Sequence, residues 1–251
     1  MSSPFLSIII PAYNEEARLP ETLEQVLSFS QDQPYPVEIL VVENGSLDRT
    51  YEIAQSFAEK HPQFKALRET MRGKGQAVRR GMLEAHGEYR FMCDSDLSMP
   101  IAEINRFLPP QMIGADIVIA SREAAGAIRY HEPAYRHWGG RMINLMIRLM
   151  ALPGLHDTQC GFKCFRSPVA EDLFSHQTIG GWSFDIELLF VARLRGYSIV
   201  ELPIPWYFDP KSKLNVLRDS LQMGLDILTI RRNARRGVYN QERSPGVEKR
   251  P

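Results

Sequence analysis

The chain has 251 residues, 44% of them hydrophobic and 24% charged, with 30 basic against 30 acidic side chains. That length suits one large domain with its own core, and the composition excludes a collagen-like, disulfide-stapled or generally disordered chain. A formal net charge of zero argues against a dedicated nucleic-acid-binding protein, which carries a basic footprint.

The first 120 residues alternate between two periodicities. An apolar run over 5–10 reads as a strand that stops at Pro11. Residues 17–30 have helical spacing through Leu19, Leu23, Val26 and Leu27. Residues 37–42 form a β-rich run ended by Asn44-Gly45, and 49–60 a helix that Ser46 or Asp48 caps. A weak strand at 64–67 follows, then a helix at 75–86 and a strand at 89–93 that ends at Asp94. A helix at 101–108 after Pro100 and a strand at 116–120 complete this half. Such alternation predicts an α/β fold of βαβ units, with a mainly parallel sheet flanked by helices. Functional residues in such a sheet gather outside the carboxyl ends of the strands. Three polar clusters fall there: Tyr13-Asn14-Glu15, Glu43-Asn44-Gly45-Ser46 and Asp94-Ser95-Asp96.

The second half is less regular. A Gly/Ala-rich stretch at 123–128 reads as a mobile loop. Residues 135–152 read as a helix whose apolar content is Met142, Ile143, Leu145, Met146, Leu149 and Met150. A strand at 161–165, a helix at 184–194 and a strand at 198–202 follow. Residues 214–230 form an amphipathic helix that runs into Arg231, Arg232, Arg235 and Arg236. Residues 1–239 therefore read as one domain, with that helix extending through 236, and 240–251 as a polar, disordered tail. No stretch reaches the ~18 to 20 apolar residues of a spanning helix, and no basic segment precedes the first strand. The expected location is cytoplasmic, soluble or held at a membrane surface. Cys93, Cys160 and Cys164 lack a CxxC spacing and read as reduced, buried thiols rather than a zinc site. The tryptophans Trp138, Trp182 and Trp206 are candidates to stack on a sugar or lipid, with core or interface packing as the default.

Three constellations carry chemistry. Asp94 and Asp96, at i and i+2 past a strand, can point to one side and offer hard oxygen ligands to Mg²⁺ or Mn²⁺. Glu43 at a strand end can accept hydrogen bonds from a base or ribose, while Asn44-Gly45 makes the turn. Arg72-Gly73-Lys74-Gly75 at a helix start lets backbone and ammonium approach an anion, without the spacing of a Walker loop. Singly, each is also an ordinary turn or helix start.

Their order is more specific. Ile10-Pro11-Ala12-Tyr13-Asn14-Glu15-Glu16, Glu43-Asn44-Gly45-Ser46, Arg72-Gly73-Lys74-Gly75 and Asp94-Ser95-Asp96-Leu97-Ser98 together resemble the inverting GT-A glycosyltransferases that use nucleotide sugars. Asp157-Thr158-Gln159-Cys160-Gly161-Phe162-Lys163-Cys164-Phe165, Trp182-Ser183-Phe184-Asp185-Ile186-Glu187-Leu188-Leu189 and Ser212-Lys213-Leu214 narrow the resemblance. They are similar to segments of dolichyl-phosphate glucosyltransferases and related polyprenyl-phosphate hexose synthases. The resemblance runs from about residue 6 to 239.

That resemblance implies a GT-A, Rossmann-like fold and a transferase with inversion, moving a hexose, foremost glucose from UDP-glucose, to a polyprenyl phosphate. It implies that Pro11, Tyr13, Glu15, Glu43, Lys74 and Asp94 line the nucleotide-sugar pocket, with Ser212 and Lys213 on a closing loop. Asp94 and Asp96 would hold the metal and diphosphate. Arg122 and Arg136 would bind the acceptor phosphate. Asp157, counted with Asp94, Asp96 and Arg122 in the catalytic set, and Gln159 would shape the sugar pocket or order the acceptor side. The implied partners are a UDP- or GDP-hexose, a polyprenyl phosphate lipid and a membrane surface, with no nucleic acid; a separate membrane partner would serve where relatives carry added spanning helices. Three departures stand out. Glu43-Asn44 replaces a pair of aspartates, Ser98 stands where some relatives carry a glutamine, and Lys211 or Lys213 must replace an arginine.

Other classes fit less well. A nucleotidyltransferase begins with a glycine-rich loop, where this chain has Pro11-Ala12-Tyr13-Asn14-Glu15. A transferase acting on GDP-mannose, UDP-GlcNAc or a non-lipid acceptor, and a degenerate sugar-nucleotide-binding domain, remain alternatives of the same fold. Retention of Asp94, Asp96, Arg122 and Lys213 favours the enzyme.

Overall fold

The computed structural model describes residues 3–209 and 216–240, without the side chains of 134–139 and 216–219. Seven strands form one sheet: β1 Leu6–Ala12, β2 Val37–Glu43, β3 Phe64–Arg68, β4 Tyr89–Met92, β5 Ile117–Ser121, β7 Lys163–Arg166 and β8 Ile199–Pro203. Their order is β3-β2-β1-β4-β7-β5-β8. All neighbours are parallel except β7, which runs antiparallel between β4 and β5. A small ribbon pairs β6 Ile128–Tyr130 with β9 Pro205–Tyr207 in parallel, and Tyr130 stacks on Tyr207 with centroids 4.6 Å apart. The helices are α1 Leu19–Gln31, α2 Thr50–Lys60, α3 Lys74–Glu84, α4 Ala134–Met150, α5 Ser167–Ser175, α6 Phe184–Leu194 and α7 Val216–Arg235.

Both faces of the sheet are covered, which is why β1 is apolar at nearly every position rather than alternating. Ile8 and Ile10 pack on the α1 side with Leu23 and Val26. Ile9 packs on the other side with Val78 and Met82 of α3. Cys93, Cys160 and Cys164 are buried free thiols, and burial raises the pKa of each.

The element boundaries depart from sequence expectation in a few places. β1 continues through Pro11 and Ala12, which pair with Val42 and Glu43. The β4 ladder ends at Ile9–Met92, so Pro11 has a strand neighbour on one side only and its missing N–H leaves no gap. Residues Ile101–Phe107 form a 3-10 helix rather than an α-helix. Gly161 and Phe162 precede β7 instead of opening it. Ile128, expected in a loop, begins β6. The 240–251 tail falls outside the described residues beyond Asn240. Helix α7 splits its apolar residues between two faces: Met223, Ile227 and Ile230 are buried, whereas Leu221, Leu225 and Leu228 are exposed.

Candidate active site

The carboxyl ends of β1, β2, β4 and β5 open onto a cavity of about 620 Å³. Pro11, Tyr13 and Glu15 bring the β1 end to its wall. The β1 and β2 turns are locked together. Asn14 adopts φ 51°, a left-handed conformation that asparagine tolerates; its Oδ1 accepts the Leu47 N–H at 2.8 Å, and its own N–H donates to Ser46 Oγ at 3.0 Å. The Glu15 carboxylate pairs with Arg18, which also pairs with Asp209 across the cavity. Burial works against the Arg18 charge, but Glu15 and Asp209 outweigh it and raise its pKa.

Glu43 does not line the cavity. It is 3% exposed; its carboxylate accepts the Ser46 N–H and pairs with Arg68 at 3.3 Å. The carboxylate expected to meet the nucleotide holds the turn after β2 in this structure. Asn44 faces the cavity in its place. Its Nδ2 donates to the Met71 carbonyl at 2.6 Å and its Oδ1 accepts the Gly73 N–H at 2.7 Å, which pins the loop before α3.

Lys74 opens α3, and its Nζ lies 2.5 Å from Asp94 Oδ1 and 5.2 Å from the Trp182 ring centroid. Burial pulls its pKa down, but Asp94 and Asp185 more than compensate and raise it. The flanking glycines admit protein backbone. A Cβ on Gly73, at φ 135°, would stand 2.2 Å from the Gly180 carbonyl, and one on Gly75 would stand 2.7 Å from Phe184 Cβ. The 179–184 segment can therefore press against the start of α3 and fix Lys74.

Asp94 and Asp96 both line the cavity. Leu97 between Asp96 and Ser98 has φ 45°, rare for leucine, and Asp96 Oδ1 accepts the Ser98 N–H at 3.0 Å. This tight turn holds the second carboxylate beside the first. Burial and the neighbouring Asp94 raise the Asp96 pKa, against the pull of the Ser98 N–H, Lys74 and Arg18. Asp94 rests on bare backbone: a Cβ at Gly161 would fall 2.1 Å from its Oδ2. Two crowded carboxylates fit a hard divalent cation. Among the described residues no third His, Cys, Asp or Glu joins them. That donor set suits an ion whose other ligands are waters and phosphate oxygens.

Arg122 follows β5 and also lines the cavity. Asp157 stands behind it, 0% exposed and off the cavity. Its Oδ2 accepts Arg122 Nε at 2.6 Å and the Arg122 backbone N–H at 3.0 Å, and its Oδ1 accepts Nη2 at 2.9 Å. Burial would raise the Asp157 pKa, but Arg122 brings it down to about 2. Asp157 thus holds the Arg122 guanidinium in place, whereas Gln159 reaches the wall itself. The Arg136 and Trp138 side chains, Lys211, Ser212 and Lys213 lie outside the described residues.

Several wall residues lay outside the expected site. Arg129 and Trp206 arrive on the β6–β9 ribbon, with the Arg122 guanidinium 5.5 Å from the Trp206 ring centroid. Trp182, expected by default as packing, is 43% exposed and faces the cavity. Arg18 and Asp185 line it as well.

Comparison with known proteins agrees with this geometry. The family model for glycosyl transferase family 2 matches residues 7–174. A dolichyl-phosphate beta-glucosyltransferase of Dictyostelium discoideum is 31% identical over 249 residues, 94% of this chain and 76% of the relative. The dolichyl-phosphate beta-glucosyltransferase of Homo sapiens is 30% identical, over 95% of this chain and 78% of its own. Among solved structures, glucosyl-3-phosphoglycerate synthase from Mycobacterium tuberculosis, in complex with Mn²⁺, UDP-glucose and phosphoglyceric acid, matches with a TM-score of 0.68 at 17% identity, over 90% of this chain and 79% of that one. Mannosyl-3-phosphoglycerate synthase from Rubrobacter xylanophilus matches at 0.67 with 16% identity, over 98% and 79%. The sheet is that of the GT-A fold, and the chain belongs to glycosyl transferase family 2 and is a glycosyltransferase.

Proposed function

We propose that the protein transfers glucose from UDP-glucose to a dolichyl-type polyprenyl phosphate, with inversion at the anomeric carbon. The observation that carries the reading is one cavity lined by two anion-handling groups: Asp94, Asp96 and Lys74 at the β4 end and α3 start, and Arg122, held by Asp157, at the β5 end. Relatives named dolichyl-phosphate beta-glucosyltransferase, at about 30% identity over most of the chain, support the same donor and acceptor.

A phosphate monoester is already an anionic nucleophile at neutral pH, so the site needs little help from a general base. Its task is to bring two anions together. Arg122 offers a planar fork to the acceptor phosphate, and its pairing with Asp157 fixes the direction of that fork. Lys74 sits where the donor diphosphate would replace Asp94 as its partner. An acceptor oxygen forms the bond to the anomeric carbon while the bond from that carbon to the diphosphate breaks, and UDP leaves with the electron pair. A divalent cation, Mg²⁺ or Mn²⁺, held by Asp94 and Asp96, would neutralise charge on the departing diphosphate.

The acceptor lipid implies a peripheral encounter with a membrane. No helix among the described residues is long and apolar enough to span one. Helix α4 exposes Met142, Leu145 and Leu149, and α7 exposes Leu221, Leu225 and Leu228 ahead of Arg231, Arg232, Arg235 and Arg236. Both helices also border the cavity, through Ile143, Asn144 and Met223. Apolar stripes beside arginines suit an anionic lipid surface. Replacing the four arginines by alanine is expected to lower binding to phosphatidylserine-containing vesicles at least about tenfold in a sedimentation assay, since each basic residue contributes roughly 1 kcal/mol. Equal binding of both proteins to anionic and neutral vesicles would remove this surface from the account.

The central test is turnover. Purified protein with a short polyprenyl phosphate, Mg²⁺ or Mn²⁺ and UDP-glucose is expected to yield a hexosyl-phosphate lipid by mass spectrometry, with a smaller yield from GDP-mannose. Tight binding of UDP-glucose without any lipid product would redirect the assignment to another acceptor.

A further inference from the structure

One fully buried carboxylate lies off the cavity and takes no part in the steps above. Glu187, in the first turn of α6, is 0% exposed. Its Oε2 accepts the Thr178 N–H at 2.9 Å and the Ile179 N–H at 2.7 Å. Its Oε1 accepts the Thr178 hydroxyl and, at 2.7 Å, the Tyr239 hydroxyl. Burying a carboxylate is costly unless its lone pairs are met. Here the donors come from two places, the irregular segment 177–180 and a tyrosine just past the end of α7. Tyr239 stays a donor, because burial and then Glu187 push its pKa up to about 12.

The segment that Glu187 holds is the one that presses on the start of α3. Gln177 Nε2 donates to the Gly75 carbonyl at 2.9 Å and to the Ile179 carbonyl at 2.8 Å, and the Gln76 N–H donates to the Gly180 carbonyl at 3.3 Å. The two stretches fit without a gap. A Cβ on Gly180 would stand 2.6 Å from Gln76 Nε2, just as those on Gly73 and Gly75 would meet the Gly180 carbonyl. Lys74 lies between these last two glycines, and Trp182, 5.2 Å from its Nζ, is carried by the same connection between α5 and α6. Asn233 of α7 adds a second tie, its Nδ2 donating to Thr178 Oγ1 at 3.2 Å. Hydrogen bonds thus run without a break from the end of α7, through Glu187 and residues 178–180, to the turn that aims Lys74.

We propose that Glu187 is a positioning residue for Lys74, completed by the Tyr239 hydroxyl. Together they set the 177–181 segment against the α3 start, so that the ammonium meets the donor diphosphate in one fixed place. This rests on the reading of Lys74 as the partner of that diphosphate. It also gives the end of α7 a part in donor binding, although among the described residues that helix reaches the cavity itself through Met223 alone.

The test asks whether Tyr239 acts through Lys74. Tyr239→Phe removes one hydroxyl and keeps a ring that is 1% exposed. Calorimetric titration with UDP, in the presence of Mn²⁺, is made on wild-type protein, Tyr239→Phe, Lys74→Ala and the double variant. Tyr239→Phe is expected to weaken UDP binding about three- to tenfold, the scale of one hydrogen bond. Lys74→Ala is expected to weaken it more, and the double variant no more than Lys74→Ala alone. A tyrosine with a structural role only would lower the melting temperature and leave UDP affinity as it was. One that reached the cavity by another route would weaken UDP further in the Lys74→Ala background. Either result overturns the proposal. Glu187→Gln supplies a second measurement, because an amide keeps the shape but accepts at one oxygen only. It is expected to raise KM for UDP-glucose several-fold while KM for the polyprenyl phosphate changes little, and equal rises in both overturn the assignment. Failure of the underlying reading has a different signature: wild-type protein that binds no UDP, or Lys74→Ala that binds it as tightly as wild type, removes Lys74 from the diphosphate and the proposal with it.

Discussion

Asp96→Ala is expected to lower turnover at least about a hundredfold, the scale on which loss of one group aimed at developing charge is felt. The side chain is costly where it stands: buried, beside Asp94, and with its pKa raised by both. Its retention in a left-handed turn at Leu97, with the Ser98 N–H directed at Oδ1, points to a role in binding rather than in folding. Removing a carboxylate that burial and a like charge both disfavour is expected to leave the melting temperature unchanged or slightly higher. A large loss of activity with undiminished stability is the signature of a functional carboxylate. Lost stability together with lost activity would instead make Asp96 a structural member of the turn. Mn²⁺ titration in the presence of UDP gives an independent readout, with weaker binding expected for the variant.

Helices and strands with local signatures were legible in the sequence, and the pairings between distant segments were not. The 3.6-residue spacing of Leu19, Leu23 and Val26 and the punctuation at Asn44-Gly45 and Asp94 mark the βαβ units of the first half. Helix α5 carries a readable start in Ser167-Pro168, yet nine residues are too few for periodicity to declare itself. Strands β6 and β9 have three residues each and exist only because 75 or so residues of chain fold back to pair them. The placement of β7 between β4 and β5 is equally non-local, and so is everything it brings to the site.

The same distinction runs through the candidate site. Pro11, Tyr13, Glu15, Lys74, Asp94, Asp96 and Arg122 sit at strand ends or a helix start, where topology alone directs them toward the crevice. Glu43 and Asn44 exchange roles because β2 is buried along its inner length, so no alternation marks which residue faces the ligand. Asp157 lies behind Arg122 because a fully buried aspartate must find a cation, and the available one comes from 35 positions earlier in the chain. Asp185 and Lys163 belong to segments noticed by resemblance, but their partnership is visible only in three dimensions.

Asp157→Asn is expected to destabilise the fold and to weaken acceptor use more than donor use. The substitution keeps the shape and removes the charge opposite a guanidinium whose side chain is 22% exposed. Breaking such a pair by removing one partner costs about 3 kcal/mol or more, because the other charge stays behind largely desolvated. The pH dependence gives an independent measure. Asp157 titrates at about 2 in the folded protein against 3.8 as the ordinary value, so the folded state holds the ionised form more strongly. A depressed pKa contributes stability that is fully present above the unfolded value and is lost as pH falls toward the folded one. The contribution is about 2 kcal/mol, taking roughly 1.4 kcal/mol for each pH unit of difference. Urea denaturation is therefore expected to show a wild-type advantage over Asp157→Asn that is constant from pH 7 to about pH 5 and shrinks between about pH 4 and pH 2. An advantage that stays constant to pH 2.5 would mean that the charge of Asp157 is not what holds Arg122. In turnover, the variant is expected to raise KM for the polyprenyl phosphate several-fold while KM for UDP-glucose changes little, because Arg122 faces the acceptor and Lys74, Asp94 and Asp96 are untouched. A proportional rise in both would mean that Asp157 supports the whole cavity rather than the acceptor side.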